Sequence, residues 1–173
     1  MAIGELPIIL ECDRLATSRG LEVDRSLLEH RADWDFYSID TEEYSNFSEC
    51  EISMDDEAIT NFLKLHAPNS SVWPANPEIL FWGAKYAAEE LVALGALVQW
   101  RTGQVMFASI GTHASHRNKG LAQDLVKGML SRAQSMGVEH VGLGVFAENI
   151  SAKRAYERVG FNLVNEFSTF NRK

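Results

Sequence analysis

The sequence predicts an α/β (α+β) fold built on one mixed, mostly antiparallel sheet that contains a parallel strand pair. Two observations predict it. Residues 109–161 read as apolar strand, basic turn, long amphipathic helix, apolar strand and shorter helix. A strand–helix–strand of that length makes a right-handed crossover between parallel strands. Residues 79–111 read as three apolar runs joined by short polar turns, the pattern of an antiparallel meander.

At 173 residues the chain suits one domain with a real core. Its 46% hydrophobic and 23% charged residues place it among soluble globular chains. No apolar run approaches the roughly 20 residues that span a bilayer. No basic flank followed by an apolar stretch marks a signal peptide. A cytoplasmic protein with no membrane partner is therefore expected. Cys12 and Cys50 lack metal-like spacing and read as two reduced thiols.

The charge is unevenly spread. Residues 1–108 hold 7 Lys+Arg against 19 Asp+Glu, a balance of −12; residues 109–173 hold 9 against 5, a balance of +4, which together give the net −8. An acidic half beside a basic half suggests an anion held by the second and a cation drawn to the first. No basic stripe with interleaved aromatics appears, so no nucleic-acid partner is expected.

Taken in order, Ile3, Leu6, Ile8, Ile9 and Leu10 could start a helix running to Ser18, ended by Gly20. Asp24 could cap a short helix over 25–31. Trp34, Phe36, Tyr37 and Ile39 could form a short strand or a packed loop. Residues 1–50 are read as an N-terminal extension packed on a domain of residues 51–173. In that domain, 50–53 is a short strand. Asp55 or Asp56 starts a helix that buries Ala58, Ile59, Phe62, Leu63 and Leu65. Residues 66–77 are loop, with three prolines and Trp73. Strands follow at 79–87, 91–100 and 104–111. Leu121, Ala122, Leu125, Val126, Met129, Leu130 and Ala133 recur at helical spacing, and Gly137 ends that helix. Residues 138–147 form a buried strand with Gly142 and Gly144 on one face, a bare strip to which a thin ligand or a packing partner could lie close. Asn149 or Ser151 caps the last helix; Ala152, Ala155, Tyr156 and Val159 are its buried stripe, and Gly160 ends it. Residues 161–170 are the last strand.

The turn from His116 to Ala122 has the properties of an anion site. Gly120 accepts backbone conformations other residues resist. The following helix offers unpaired N–H groups and a partial positive charge. Arg117, Lys119, His113 and His116 add positive potential. A phosphate, or better a pyrophosphate, suits it. No GxxxxGK[ST] or GxGxxG points to a nucleotide-binding domain instead.

Arg117-x-x-Gly120-x-Ala122 resembles the (Arg/Gln)-x-x-Gly-x-(Gly/Ala) acetyl-CoA loop of the GNAT N-acetyltransferase superfamily. About thirty residues on, Asn149-x-x-Ala152-x-x-x-Tyr156-x-x-x-Gly160-Phe161 resembles that superfamily's second motif in type and spacing. The resemblance covers residues 104–161 in motifs, and in layout extends back to about Glu51. It implies a GNAT-like sheet whose central parallel pair splays apart for acetyl-CoA, with helices on both faces. It implies that Ile110, Gly111 and Thr112 meet the pantetheine arm. Arg117, Asn118, Lys119, Gly120, Leu121 and Ala122 would cradle the pyrophosphate. Asn149 and Ala152 would line the cofactor or hold its loop, and Lys153 could approach its phosphate end. Tyr156 would protonate the leaving thiolate. The acceptor would be a small-molecule or peptide amine, cationic to suit the acidic half, and no metal is implied.

Two departures stand out. Members often carry a glutamate on the fourth strand as base, yet Val105, Met106, Phe107, Ala108 and Ser109 offer no acid. Glu57, His66, Glu78 and His113 are base candidates by region, and Ser109 could hold a relay water. A catalytically silent acyl-CoA sensor is the alternative this absence keeps open. Members also commonly have two strands after the Gly-Phe helix, where about ten strand-like residues remain here. The sheet could be short, or be completed by the N-terminal segment or another chain, so a homodimer is possible.

Overall fold

A computed structural model describes residues 13–173. The elements are β1 (Arg14–Ser18), β2 (Leu28–Asp40), β3 (Glu51–Ile52), α1 (Asp56–His66), β4 (Ile79–Ala87), β5 (Glu90–Gln99), β6 (Val105–Thr112), α2 (Leu121–Ser135), β7 (His140–Phe146), α3 (Ile150–Val159) and β8 (Asn162–Arg172). They make one eight-stranded sheet in the order β1-β8-β2-β7-β6-β5-β4-β3. All neighbours are antiparallel except β6 and β7. The fold is thus mixed α/β with one parallel pair. Among the described residues, no helix is long and apolar enough to cross a membrane.

β5 shows how the layers form. It is apolar throughout because it is covered on both faces. Leu94, Ala96 and Val98 join Ile59, Phe62 and Leu63 of α1. Ala93 and Leu97 point the other way, toward Leu125, Met129 and Leu130 of α2. Helices therefore lie on both faces. α1 starts at Asp55, whose side chain accepts a hydrogen bond from the Ala58 amide at 2.9 Å. α3 starts at Asn149, whose Oδ1 accepts from the Ala152 amide at 3.1 Å, and ends at Gly160 with φ 111°.

The first 50 residues depart from expectation. Residues 14–18 are strand β1, while the start of the expected first helix, and Cys12, lie outside the described residues. The helix expected over 25–31 does not form. Asp24 instead accepts from the Ser26 amide and hydroxyl, at 2.8 and 2.6 Å, and makes a turn from which β2 departs. β2 runs thirteen residues and lies between β7 and β8, antiparallel to both. Residues 28–40 are thus an interior strand of the domain, not an extension packed on it. The N-terminal segment completes the sheet. β8 is paired on both sides, and the open edge expected there is absent.

β2 alternates as a covered strand should. Asp35, Tyr37 and Ile39 are buried; Trp34, Phe36 and Ser38 are half-buried on the other face. The outlier is Asp35, a carboxylate with 0% exposure. It forms ion pairs with Arg19, which also holds Glu166 at 2.5 Å, and with Lys153 of α3. Burial alone would raise the Asp35 pKa. Lys153 and Arg19 outweigh it and hold the carboxyl below the usual carboxylate range.

Asp35→Ala should therefore cost about 3 kcal/mol of stability, since it leaves two cations without their shared anion; chemical denaturation at neutral pH measures it. Because the folded pKa is depressed, the contribution is present above the unfolded carboxylate value of about 4 and lost as pH falls through the folded value. Acid unfolding curves should accordingly show Asp35→Asn losing less stability below about pH 4 than the parent chain; an unchanged acid slope would remove Asp35 from the account.

Candidate active site

The site is set by how β6 and β7 part. Their ladder contains two residue pairs, Met106 with Gly142 and Phe107 with Leu143. Past them, β7 stays with β2 as far as the Trp34–Phe146 pair, while β6 stays with β5 up to Thr112 opposite Ala93. A bulge in β6 coincides with the parting. Leu94 opposes Gly111 and Ala96 opposes Ala108, so Ser109 and Ile110 together face Gly95. An extra residue bends the bulged strand and sharpens its twist. Ser109 has φ 53°, a strained value for a residue with a side chain. Its hydroxyl donates to the Val72 carbonyl at 2.7 Å and accepts from the Val72 amide at 3.0 Å. Those bonds hold the bulge and the 66–77 loop together. Ser109 therefore has no hydroxyl proton spare for a relay water. Trp73 in that loop is half-buried, donates from Nε1 to the Ser70 carbonyl at 3.1 Å and packs against the α1-side core.

Ile110, Gly111 and Thr112 line the β6 side of the gap. Ile110 packs toward the α2-side core. The α-carbon face of Gly111 is closed by Phe62 and Ala67, where an added Cβ would sit 3.1 Å from each. Thr112 offers its carbonyl to Arg117 Nε at 3.3 Å, and Arg117 Nη2 donates to the His66 carbonyl at 3.1 Å. Arg117 is thus spent on fastening the loop between β6 and α1. The loop then turns through Asn118 (φ 61°) and Gly120 (φ 80°) into α2. Gly120 is the N-cap and supplies no side-chain acceptor. The first return bond of the helix is the Asp124 amide to the Gly120 carbonyl, 3.1 Å. Among the described residues, the amides of Asn118, Lys119, Gly120, Leu121, Ala122 and Gln123 have no partner. Six consecutive free donors at a helix N-terminus suit a pyrophosphate.

Of the four groups expected as base, two come together. His66 and His113 lie with ring centroids 4.0 Å apart, and His116 lies 5.5 Å from His113. His113 Nε2 faces Glu90 at 3.4 Å, while the Ser115 hydroxyl lies 2.9 Å from both His113 Nδ1 and His116 Nδ1. Burial, then the neighbouring His113 and Arg117, push the His66 pKa down. Glu57 sits in the first turn of α1, roughly 14 Å along the helix from His66. Glu78 accepts from the Arg101 amide at 3.2 Å, at the opposite end of the meander. These two are not at the gap.

On the other side, α3 carries Asn149 at its cap, then Ala152 and Tyr156 packed against the core. Tyr156 rests edge-on to Phe161 at 6.0 Å. Its hydroxyl has no hydrogen-bond partner among the described residues, and burial pushes its pKa up to about 12. Lys153 is turned away from any phosphate: it pairs with Asp35 and lies 3.4 Å from the Ala147 carbonyl. The strip at Gly142 and Gly144 is topped by two aromatics expected in a short strand or packed loop and not at the site. A Cβ on Gly142 would meet Phe36 at 2.7 Å, and one on Gly144 would meet Trp34 at 3.9 Å. Trp34 in turn stacks on Phe146, centroids 3.8 Å apart. Their alternation with Asp35 and Tyr37 was the available signal. A groove of about 650 Å³ lined by Phe36, Met106, Gly142 and His140 lies at the other end of the parallel pair from Thr112 and the 117–123 loop.

An acetyltransferase (GNAT) family model matches residues 32–161, and the chain belongs to that family. Over 96 residues it is 33% identical to an uncharacterized N-acetyltransferase, YsnE of Bacillus subtilis (strain 168), a match covering 54% of this chain and 63% of that protein. The chain thus spans less than two thirds of the length of that curated relative. A putative GNAT acetyltransferase from Novosphingobium aromaticivorans superposes with TM-score 0.67 at 14% identity, over 92% of this chain and 74% of that one. A Bacillus subtilis acetyltransferase solved in complex with CoA superposes with TM-score 0.56 at 18% identity, over 70% of this chain and 94% of that one. At such identities the structural likenesses show the fold.

Gly120 gives a direct check on the loop. An alanine there is strained by about 1–2 kcal/mol in the left-handed region. Gly120→Ala should weaken CoA binding about tenfold by calorimetry and, through the same strain, lower the thermal midpoint by a few degrees.

Proposed function

We propose that this chain is an acetyl-CoA-dependent N-acetyltransferase that moves an acetyl group to a primary amine by direct attack, with Tyr156 as general acid. The observation that carries the reading is the row of free amides from Asn118 to Gln123 at the mouth of the β6–β7 gap. When bound, acetyl-CoA supplies an acetyl group activated on sulfur. The loop amides would hold the pyrophosphate. On its β7 side, Ile110–Thr112 of β6 has no strand partner among the described residues, so backbone groups there would orient the pantetheine arm and meet charge developing at the carbonyl oxygen.

Tyr156 is suited to giving a proton. Its hydroxyl is uncommitted among the described residues, and a pKa near 12 keeps it protonated throughout the physiological range. The amine must lose a proton to attack. β6 carries no carboxylate over Val105–Thr112, and His66 with His113 stands at its end. That pair, reached directly or through water, is the base this reading favours. The −12 balance of residues 1–108 supports a cationic acceptor.

Thiol release from acetyl-CoA across a panel of small amines, polyamines and peptide N-termini tests the activity; CoA binding with no turnover on any of them would favour a silent acyl-CoA sensor. Tyr156→Phe should lower kcat about a hundredfold while leaving CoA affinity in place, and an unchanged rate would remove Tyr156 from the chemistry. Because the acid keeps its proton up to about 12, kcat should show no loss attributable to it on raising pH from about 7 to 10.

A further inference from the structure

The helix that carries Tyr156 is held by one segment of the chain far from it in sequence. α3 has ten residues, with Val159 its buried one, and a helix this short is marginal without tertiary contacts. α3 packs against α2, and residues 35–44 add three side-chain ties to it. The Asp35 carboxylate pairs with Lys153 Nζ. The Tyr37 hydroxyl donates to Glu157 Oε1 at 3.1 Å. Tyr44, just after β2, donates its hydroxyl to the Val159 carbonyl. The spacing is commensurate. Asp35 and Tyr37 are two apart on one face of a strand, roughly 6.8 Å of rise. Lys153 and Glu157 are four apart on one face of a helix, roughly 6 Å. Tyr156 lies between them in sequence, and its own hydroxyl is tied to nothing among the described residues. The placement of that phenol is therefore set by the helix backbone, which packs on α2 and is tethered by residues 35–44.

We propose that β2 positions the Tyr156 phenol, with Asp35 and Lys153 as the positioning residues and Tyr37–Glu157 as a second tether. The proposal rests on Tyr156 being the acid. A buried ion pair is a weak source of stability, but an anion with 0% exposure cannot turn to water for compensation, so Lys153 Nζ is kept against it. The two cations on Asp35 differ in what they hold. Lys153 ties it to α3, whereas Arg19 ties it to Glu166 of β8. Loss of either weakens the same buried carboxylate, but only loss of Lys153 frees the Tyr156 helix.

That difference is the test. Lys153→Met keeps the packed stem and removes the ammonium. With whichever panel amine turns over, it should lower kcat at least tenfold while leaving the acceptor KM and the CoA dissociation constant within threefold. Lys153→Arg should restore most of the rate. Arg19→Met perturbs the same carboxylate from its other side and should leave kcat within threefold. Equal kcat losses in both methionine variants would mean general destabilisation and overturn the proposal, as would a Lys153→Met loss confined to KM. Hydrogen exchange reads the tether without turnover: amides of residues 153–159 should exchange faster in Lys153→Met than in Arg19→Met, and equal rates overturn it. Failure of the acid reading shows separately, as an unchanged rate in Tyr156→Phe.

Discussion

The structure depends on how little holds β6 to β7. Two ladder pairs join them; beyond these, each strand belongs to a different half of the sheet. A full ladder would satisfy the backbone of Ile110–Thr112 internally and close the gap. The bulge at Ser109–Ile110 prevents it by turning β6 away. The bulge has its own supports. Gly95 opposite leaves room, since a Cβ there would lie 3.1 Å from Ile110 and 3.2 Å from Met129. The Ser109 hydroxyl closes two bonds on Val72. Strain at one residue is thus offset by a loop and a glycine elsewhere in the chain.

A sheet so nearly split needs another connection, and α2 provides it. The core beneath α2 takes Phe81, Ala93 and Leu97 from the β4–β5 side and Tyr37, Val141, Leu143 and Phe161 from the other. One helix packs on both halves while its N-terminus opens at the gap. The stripe of Leu125, Val126, Met129, Leu130 and Ala133 that bridges the halves also fixes where the free amides point. Binding loop and sheet junction are consequently one mechanical unit.

Much of this was legible in the sequence because it is local. The stripe of α2, the Asn149 cap, the Gly160 stop and the turns of the meander each express a short-range rule, and each falls within a residue or two of its predicted place. The motif residues in the loop are likewise contiguous. What was not legible is non-local. β2 was legible only as a short strand or packed loop around Trp34–Ile39, because Asp33 and Asp35 interrupt its apolar face, and one of the two cations that make an acid tolerable there, Lys153, lies 118 positions later. Lys153 was open to reading as a phosphate ligand for the same cause: a basic residue on a helix near a cofactor loop does not reveal its partner. The bulge left no mark either, for its signal is Ser109 opposite Gly95, an unremarkable pair until the strands are in register.

The way β2 enters also bears on how such a site tolerates change. A strand inserted between β7 and β8 from the N-terminal side touches both the helix bearing Tyr156, through Asp35 and Tyr37, and the opposite face of β7, through Trp34 and Phe36 over Gly144 and Gly142. Because strand side chains alternate, these two duties fall on adjacent residues of one segment. A one-residue slip of β2 would exchange them, placing Trp34 and Phe36 into the α3 core and Asp35 onto the open face. The Asp35–Lys153 pair resists that slip, since a carboxylate moved to the open face loses both cations and an aromatic moved inward leaves the half-buried Lys153 without its anion. The buried charge therefore specifies register as well as orientation, and a single register aligns the phenol side of the gap with the wall on the other face of β7.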